Sequence, residues 1–210
     1  SGPGRADLFA AQEAVADLSA RYGTTRHDEL LPEVAQRWRA AEEVLADGWR
    51  SDRCRRDFQV VAGQLSFLLS RLAFNLGDYR RTAEFLSLVE AHLEATEDPG
   101  LGAATATMWS SLFFYRGNYR EALRTAREGH RWRYSYHEAE LYAYEARALG
   151  AIGDPAALGA LELMAKATRP VGTPEPGGDP FTDEYGLLIS GGTLARLGRH
   201  KEALPITAAS

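Results

Sequence analysis

Cysteine is all but missing from this chain. Cys54 is the only one in 210 residues, so no internal disulfide framework holds the fold, and a reducing cytosol is the compartment that fits. Long apolar runs are missing too: no stretch approaches the ~18 apolar residues that a membrane span needs, and no signal-peptide pattern opens the chain. Basic residues are in deficit, 24 Lys and Arg against 29 Asp and Glu for a formal charge of −5 and a pI near 5.6, which argues against the broad positive face of a nucleic-acid binder. The motifs of common catalysts are absent as well. There is no GxxxxGK[ST] phosphate loop, no GxGxxG after a strand, no GxSxG elbow, no CxxC, no HExxH, and no catalytic His to pair with Cys54. This reading expects no enzyme, no cofactor and no metal. What remains, at 45% hydrophobic and 25% charged residues, is ordinary globular composition, long enough for one sizeable domain or a compact repeat array.

What is present has a period near 3.6 and almost nothing of period 2, so strand signals are lacking and the fold class is all-α. Leu8, Ala11, Val15 and Leu18 form one stripe, and Leu31, Val34, Trp38, Ala41 and Leu45 another, followed by a Leu-, Phe- and Val-rich segment from about 54 to 76. Residues 1–4 read as an expression scar and stand outside the fold argument; residues 5–52 read as a degenerate N-terminal helix pair.

The joints are more informative. NLGDYRRTA (75–83), YRGNYREAL (115–123), AIGDPAALG (151–159) and RLGRHKEAL (196–204) each place a Gly after an apolar helix, then a polar residue, then a new helix. Gly77, Gly117, Gly153 and Gly198 lie 40, 36 and 45 residues apart, the recurrence expected of stacked helix pairs. Gly suits a helix exit that needs φ > 0. Asp78, Asn118 and Asp154 stand where an N-cap belongs, and Pro155 where a first helical residue would be. Small residues recur seven positions before each Gly (Ser70, Ser110, Ala146, Gly191) and apolar ones four before (Ala73, Phe113, Leu149, Leu194).

On these residues the chain resembles the tetratricopeptide repeat family over roughly 60–204, with two good repeats and two degenerate ones. The resemblance implies a tetratricopeptide-like α-solenoid of about 9–10 helices in stacked antiparallel pairs, a single domain with about four repeats in 53–210. RPVGTPEPGGDPFT (169–182), with four prolines and three glycines, interrupts it as a non-helical loop, either a solvent loop or one folding over a ligand. The chain stops at KEALPITAAS (201–210), with only about one helical turn before Pro205 and without an evident polar capping helix, which suggests a domain cut from a longer protein.

The resemblance also implies a concave groove lined by the first helix of each pair. Projected onto this sequence, the groove positions are Gln64, Phe67, Arg71, Phe74 and Asn75; Thr107, Ser111, Phe114 and Tyr115; Glu140, Ala143, Tyr144 and Arg147; and Tyr185 and Leu188. Arg71 and Asn75, four apart on one face, are suited to gripping a carboxylate or a peptide backbone, with Phe67, Phe114 and Tyr115 as apolar walls. The alternatives are a solvated or ion-paired role for Arg71 and Arg147, and packing between repeats for each aromatic. ARYGTTRHDELLPEV (20–34) with DFQVVAGQLSFLLSRLAFNLGDY (57–79) resembles the sensor half of actinobacterial helix-turn-helix regulators. That implies a cytoplasmic transcription factor whose repeats bind a peptide, small-molecule effector or protein partner. A homodimer is a further partner class, and DNA would be reached only through a domain absent from this chain. A protein–protein scaffold is the competing expectation. The segment GHRWRYSYHEAELYAY (129–144) falls on a joint: Trp132 and Tyr142 are expected in the core, Tyr134 to Tyr136 in a turn, His137 ahead of the next helix, and His130, His137 and Glu140 form the weak best metal candidate.

Overall fold

A computed structural model describes residues 4–46, 51–167 and 181–207. Among them the chain is all-helical, with ten α-helices and two single-turn 3-10 segments. The helices are α1 (Arg5–Arg21), α2 (His27–Ala46), α3 (Asp52–Asn75), α4 (Tyr79–Thr96), α5 (Pro99–Tyr115), α6 (Tyr119–Gly129), α7 (Glu138–Ala151), α8 (Ala157–Lys166), α9 (Asp183–Arg196) and α10 (His200–Thr207). No described helix is long and apolar enough to cross a membrane.

The four glycine joints share one backbone geometry. Gly77, Gly117, Gly153 and Gly198 have φ of 79°, 76°, 75° and 76°, a region where a Cβ would crowd the neighbouring carbonyl. Each glycine N–H bonds the carbonyl three residues back, and the next N–H bonds the carbonyl of Ala73, Phe113, Leu149 or Leu194. That is the Schellman closure, which satisfies carbonyls that the helix end would otherwise orphan. The small residues seven positions before each Gly are all buried. Two of them use their hydroxyl locally: Ser70 Oγ donates to Phe67 O at 2.6 Å and Ser110 Oγ to Ala122 O at 2.9 Å. The aromatics after the first two joints do equivalent work, with Tyr79 against Phe74 at 5.4 Å and Tyr119 against Phe114 at 5.3 Å between ring centroids.

The new helices start less uniformly than the sequence suggests. Asp78 caps α4 by accepting from Arg81 N at 3.0 Å, whereas Asn118 stands at the N-cap of α6 without a side-chain bond. Pro155 lies ahead of α8 rather than at its first position. Asp154 Oδ1 accepts from Ala156 N, and the bonds Ala157 N to Asp154 O and Leu158 N to Pro155 O tighten this turn before the α-helix begins. At the other end α10 continues through Pro205 to Thr207 instead of stopping before it. The 169–182 loop lies outside the described residues except for Phe181, which is buried, and Thr182, whose Oγ caps α9 by accepting from Tyr185 N at 3.2 Å.

The chain forms two compact units whose boundary falls within α5, after Thr105. In the first, α3 packs against α1, α2 and α4. Its core is Val15, Leu18, Leu30, Val34, Phe58, Val61, Leu65, Leu68, Leu69 and Leu72, each side chain contributing about 1.5–3 kcal/mol on burial. In the second, α7 is central and packs against α6, α8 and α9, while α9 pairs with α10. α7 is Ala-rich and buried over most of its circumference: Ala139, Leu141, Ala143, Tyr144, Ala146, Ala148, Leu149 and Gly150 are all buried, and so is Arg147. A guanidinium in such a helix is the exception that requires an account.

Candidate functional site

In the first unit, the residues expected to meet a ligand instead meet a tyrosine of the same chain. Arg71 follows the buried Ser70 on α3, and its guanidinium carbon stands 4.2 Å from the ring centroid of Tyr22. Asn75, one turn later, donates from Nδ2 to the Tyr22 hydroxyl at 2.6 Å. Tyr22, at the end of α1, is only 4% exposed and has His27 on its ring at 5.0 Å. The buried phenol thus has both ring and hydroxyl engaged, as buried tyrosines require. Phe67 is buried in the core, Gln64 is half-buried, and Phe74 lies against Tyr79.

A groove of about 500 Å³ opens elsewhere on this unit, lined by Leu31, Pro32 and Ala35 of α2, by Leu69, Ala73 and Leu76 of α3 and by Phe85 of α4, with Arg39, Asp78 and Arg81 as its charged members. None of the expected site residues lines it.

In the second unit, seven expected residues converge. Arg147 follows Ala146, the same repeat position that Arg71 holds after Ser70, and is 6% exposed. Its guanidinium carbon is 4.2 Å from the Phe114 ring centroid, 4.3 Å from Tyr144 and 5.7 Å from Tyr115. Nη2 donates to Ser111 Oγ at 3.2 Å; Nε is buried with no hydrogen-bond partner. Desolvating such a cation costs several kcal/mol, which two close rings offset only in part, at about 2 kcal/mol each. Two acids of α7, Glu140 and Glu145, are engaged elsewhere. Glu140 accepts from the Tyr144 hydroxyl at 2.8 Å and meets His137 Nδ1 at 2.9 Å. Glu145 accepts from Arg127 Nε at 2.8 Å and lies 3.7 Å from His130. Burial pushes the Glu145 carboxyl up, but His130 and Arg127 overcome this and hold it below the usual carboxylate range. Among the described residues no carboxylate pairs with Arg147.

Around this cation the site is aromatic. Tyr185 on α9 meets Tyr144 edge to face at 6.5 Å and Phe181 at 5.6 Å. Tyr115 crosses Phe114 at 81° and is 56% exposed, so it borders solvent beside the buried guanidinium. The Tyr144 hydroxyl is held well above the usual tyrosine range, first by burial and then by the charge of Glu140, with Arg147 pulling the other way. It therefore stays protonated and serves Glu140 as a donor.

Two residues, Arg196 and Tyr22, were not expected from the sequence, and three others, His137, Trp132 and Tyr142, are placed otherwise than expected. Arg196 of α9 reaches over Phe114 from 5.4 Å and donates from Nη1 to the carbonyl of Gly192 at 3.4 Å. It stands two residues before its joint glycine, as Asn75 and Tyr115 do, so the repeat alignment already held the signal. Tyr22 lies before the first recognised joint, where no alignment applied. His137 is buried at 5% rather than merely preceding α7, because Tyr134 and Tyr136 pack on its ring. Trp132 is half-buried, not core: α6 ends at Gly129, and Arg131 covers the indole from 4.9 Å in the 3-10 turn that follows. Tyr142 is half-buried against His130, centroids 4.3 Å apart. His130 and His137 face different carboxylates, and no group of three His, Cys, Asp or Glu able to hold a metal occurs among the described residues. Cys54 is half-buried near the start of α3. No protein-family model, curated protein or solved structure matches the chain.

Proposed function

We propose that the chain is a ligand-sensing helical-repeat module whose effector binds beside Arg147, at the aromatic cluster of Phe114, Tyr115, Tyr144 and Tyr185. The observation that carries this reading is a buried guanidinium with an unused Nε and no anion paired with it among the described residues, bordered by an exposed tyrosine. Structural arginines are normally paired when buried; a site left incomplete is one that a ligand completes. The resemblance to tetratricopeptide sensors extends the proposal to its setting: a cytoplasmic bacterial transcriptional regulator in which occupancy of the repeats biases a DNA-binding domain outside these residues. The repeated Schellman joints support the helix-pair part of that resemblance.

A second reading, a protein–protein scaffold, rests on the groove between α2, α3 and α4, whose apolar floor and two arginines suit an amphipathic helix. Thermal unfolding of the 210-residue chain against a panel of small metabolites and short peptides separates the two. A stabilising compound whose effect is lost in Tyr115→Ala supports sensing. A panel without effect, together with a folded partner released by Leu31→Glu, supports the scaffold and defeats the sensor reading.

A further inference from the structure

Arg147 is the one buried Arg or Lys among the described residues, and the shape of what its guanidinium lacks limits the ligand. A guanidinium presents two faces and an edge of donors. The rings of Phe114 and Tyr144 stand close to its central carbon, at 4.2 and 4.3 Å, so hydrogen bonding is left to the edge. One donor goes to Ser111, a neutral acceptor, and Nε has none. The Tyr144 hydroxyl is already given to Glu140. A second guanidinium, Arg196, stands over the same Phe114 ring and pairs with no carboxylate among the described residues. Two cations flank one phenyl ring without a partner anion among the described residues, in a chain whose formal charge is −5.

Building on the ligand-sensing reading, we infer that Arg147 receives the oxyanion of a small organic acid, carboxylate or phosphate ester, with Arg196 as the second cation and Tyr115 against the ligand's apolar body. An oxyanion supplies the planar, two-acceptor edge that guanidinium donors match, and charge-assisted bonds of this kind are about twice as strong as neutral ones. A neutral ligand would leave the buried charge uncompensated. A cationic one would add to it.

The test is calorimetric titration of the whole chain with three probes that share a phenyl group: phenylacetate, phenyl phosphate and uncharged phenylacetamide. At least one anion should bind saturably and about tenfold or more tighter than the amide; which anion binds identifies the source of the charge. Arg147→Gln should remove that preference and Arg196→Gln reduce it several-fold, with circular dichroism confirming the fold. Should Arg147→Gln not fold, the wild-type contrast of anion and amide together with Arg196→Gln decides. Equal binding of all three probes, with the response lost in Tyr115→Ala, overturns the oxyanion inference and leaves the ligand-sensing reading standing. Anion binding unchanged in both arginine variants overturns the assignment to these residues. No binding of any probe up to about 10 mM, while a panel compound binds in a Tyr115-dependent way, likewise overturns the inference alone. No response to either set defeats both.

Discussion

Arg71 and Arg147 occupy the same place in the repeat, one residue after the small side chain seven positions before a joint glycine, yet they meet different fates. Arg71 is half-buried and lies on Tyr22, which Asn75 also holds through its hydroxyl. In that corner Tyr22, just past the end of α1, engages the polar pair, which is spent inside the fold. Arg147 is more deeply buried and has more rings around it, but among the described residues its one side-chain acceptor is the Ser111 hydroxyl. The difference teaches that repeat position alone does not make an arginine a recognition residue. What decides is whether the chain supplies the complement itself.

Removing the internal complement should have the largest effect. Tyr22→Ala should destabilise the chain by about 3–4 kcal/mol, the range for truncating a buried aromatic, seen as a lowered urea midpoint. A loss under about 1 kcal/mol would mean Tyr22 is not the anchor described. Tyr22→Phe keeps the ring and removes only the acceptor for Asn75, so its cost should be about 1 kcal/mol.

Arg147→Met should change stability by less than about 1 kcal/mol, or raise it, because an apolar stem of similar volume removes a desolvated charge that lacks a counter-ion. A loss of 3 kcal/mol or more, the order found when a paired buried charge is broken, would show that Arg147 is a structural cation like Arg71 and erase the contrast. Exposed Tyr115→Ala should cost least, within about 0.5 kcal/mol, while abolishing the ligand response.

The pH dependence sharpens the comparison from the side of Tyr144. Its folded-state pKa is raised above the unfolded value near 10, so the stability it contributes is present in full below that value and is lost as pH rises toward the folded one. Urea midpoints taken from about pH 9 to about pH 11 should fall more steeply for the wild-type chain than for Tyr144→Phe. Parallel curves would place Tyr144 in a more solvated setting.

Much of the fold was legible because helix exits obey strong local rules. The glycine spacing, the small residue seven positions before and the apolar residue four before all follow from backbone geometry, and the same hydrogen bonds recur at Gly77, Gly117, Gly153 and Gly198. Start signals were weaker: Pro155 falls in a tight turn and Asn118 leaves its cap bond unmade, since a helix entry can be satisfied in several ways. The repeat alignment also put Ser111, Phe114, Tyr115, Glu140, Tyr144, Arg147 and Tyr185 on a common list, and their proximity in the second unit follows from α7 lying against its neighbours. Which arginine would be occupied was not legible. Tyr22 reaches Arg71 from a segment 49 residues earlier, and the engagement of Glu145 by Arg127 and His130 depends on contacts across α6 and α7 that no spacing rule encodes.

Arg147, in this view, is a buried cation awaiting an anion. The most direct measurement is the arginine Nε–Hε region of a ¹⁵N–¹H spectrum, assigned with Arg147→Met and recorded with and without phenylacetate or phenyl phosphate. A protected Arg147 resonance that moves saturably on adding one of these anions, while that of Arg71 stays fixed, is the predicted result. An Arg147 resonance that ignores both anions, or one that exchanges with solvent as fast as exposed arginines do, would contradict it.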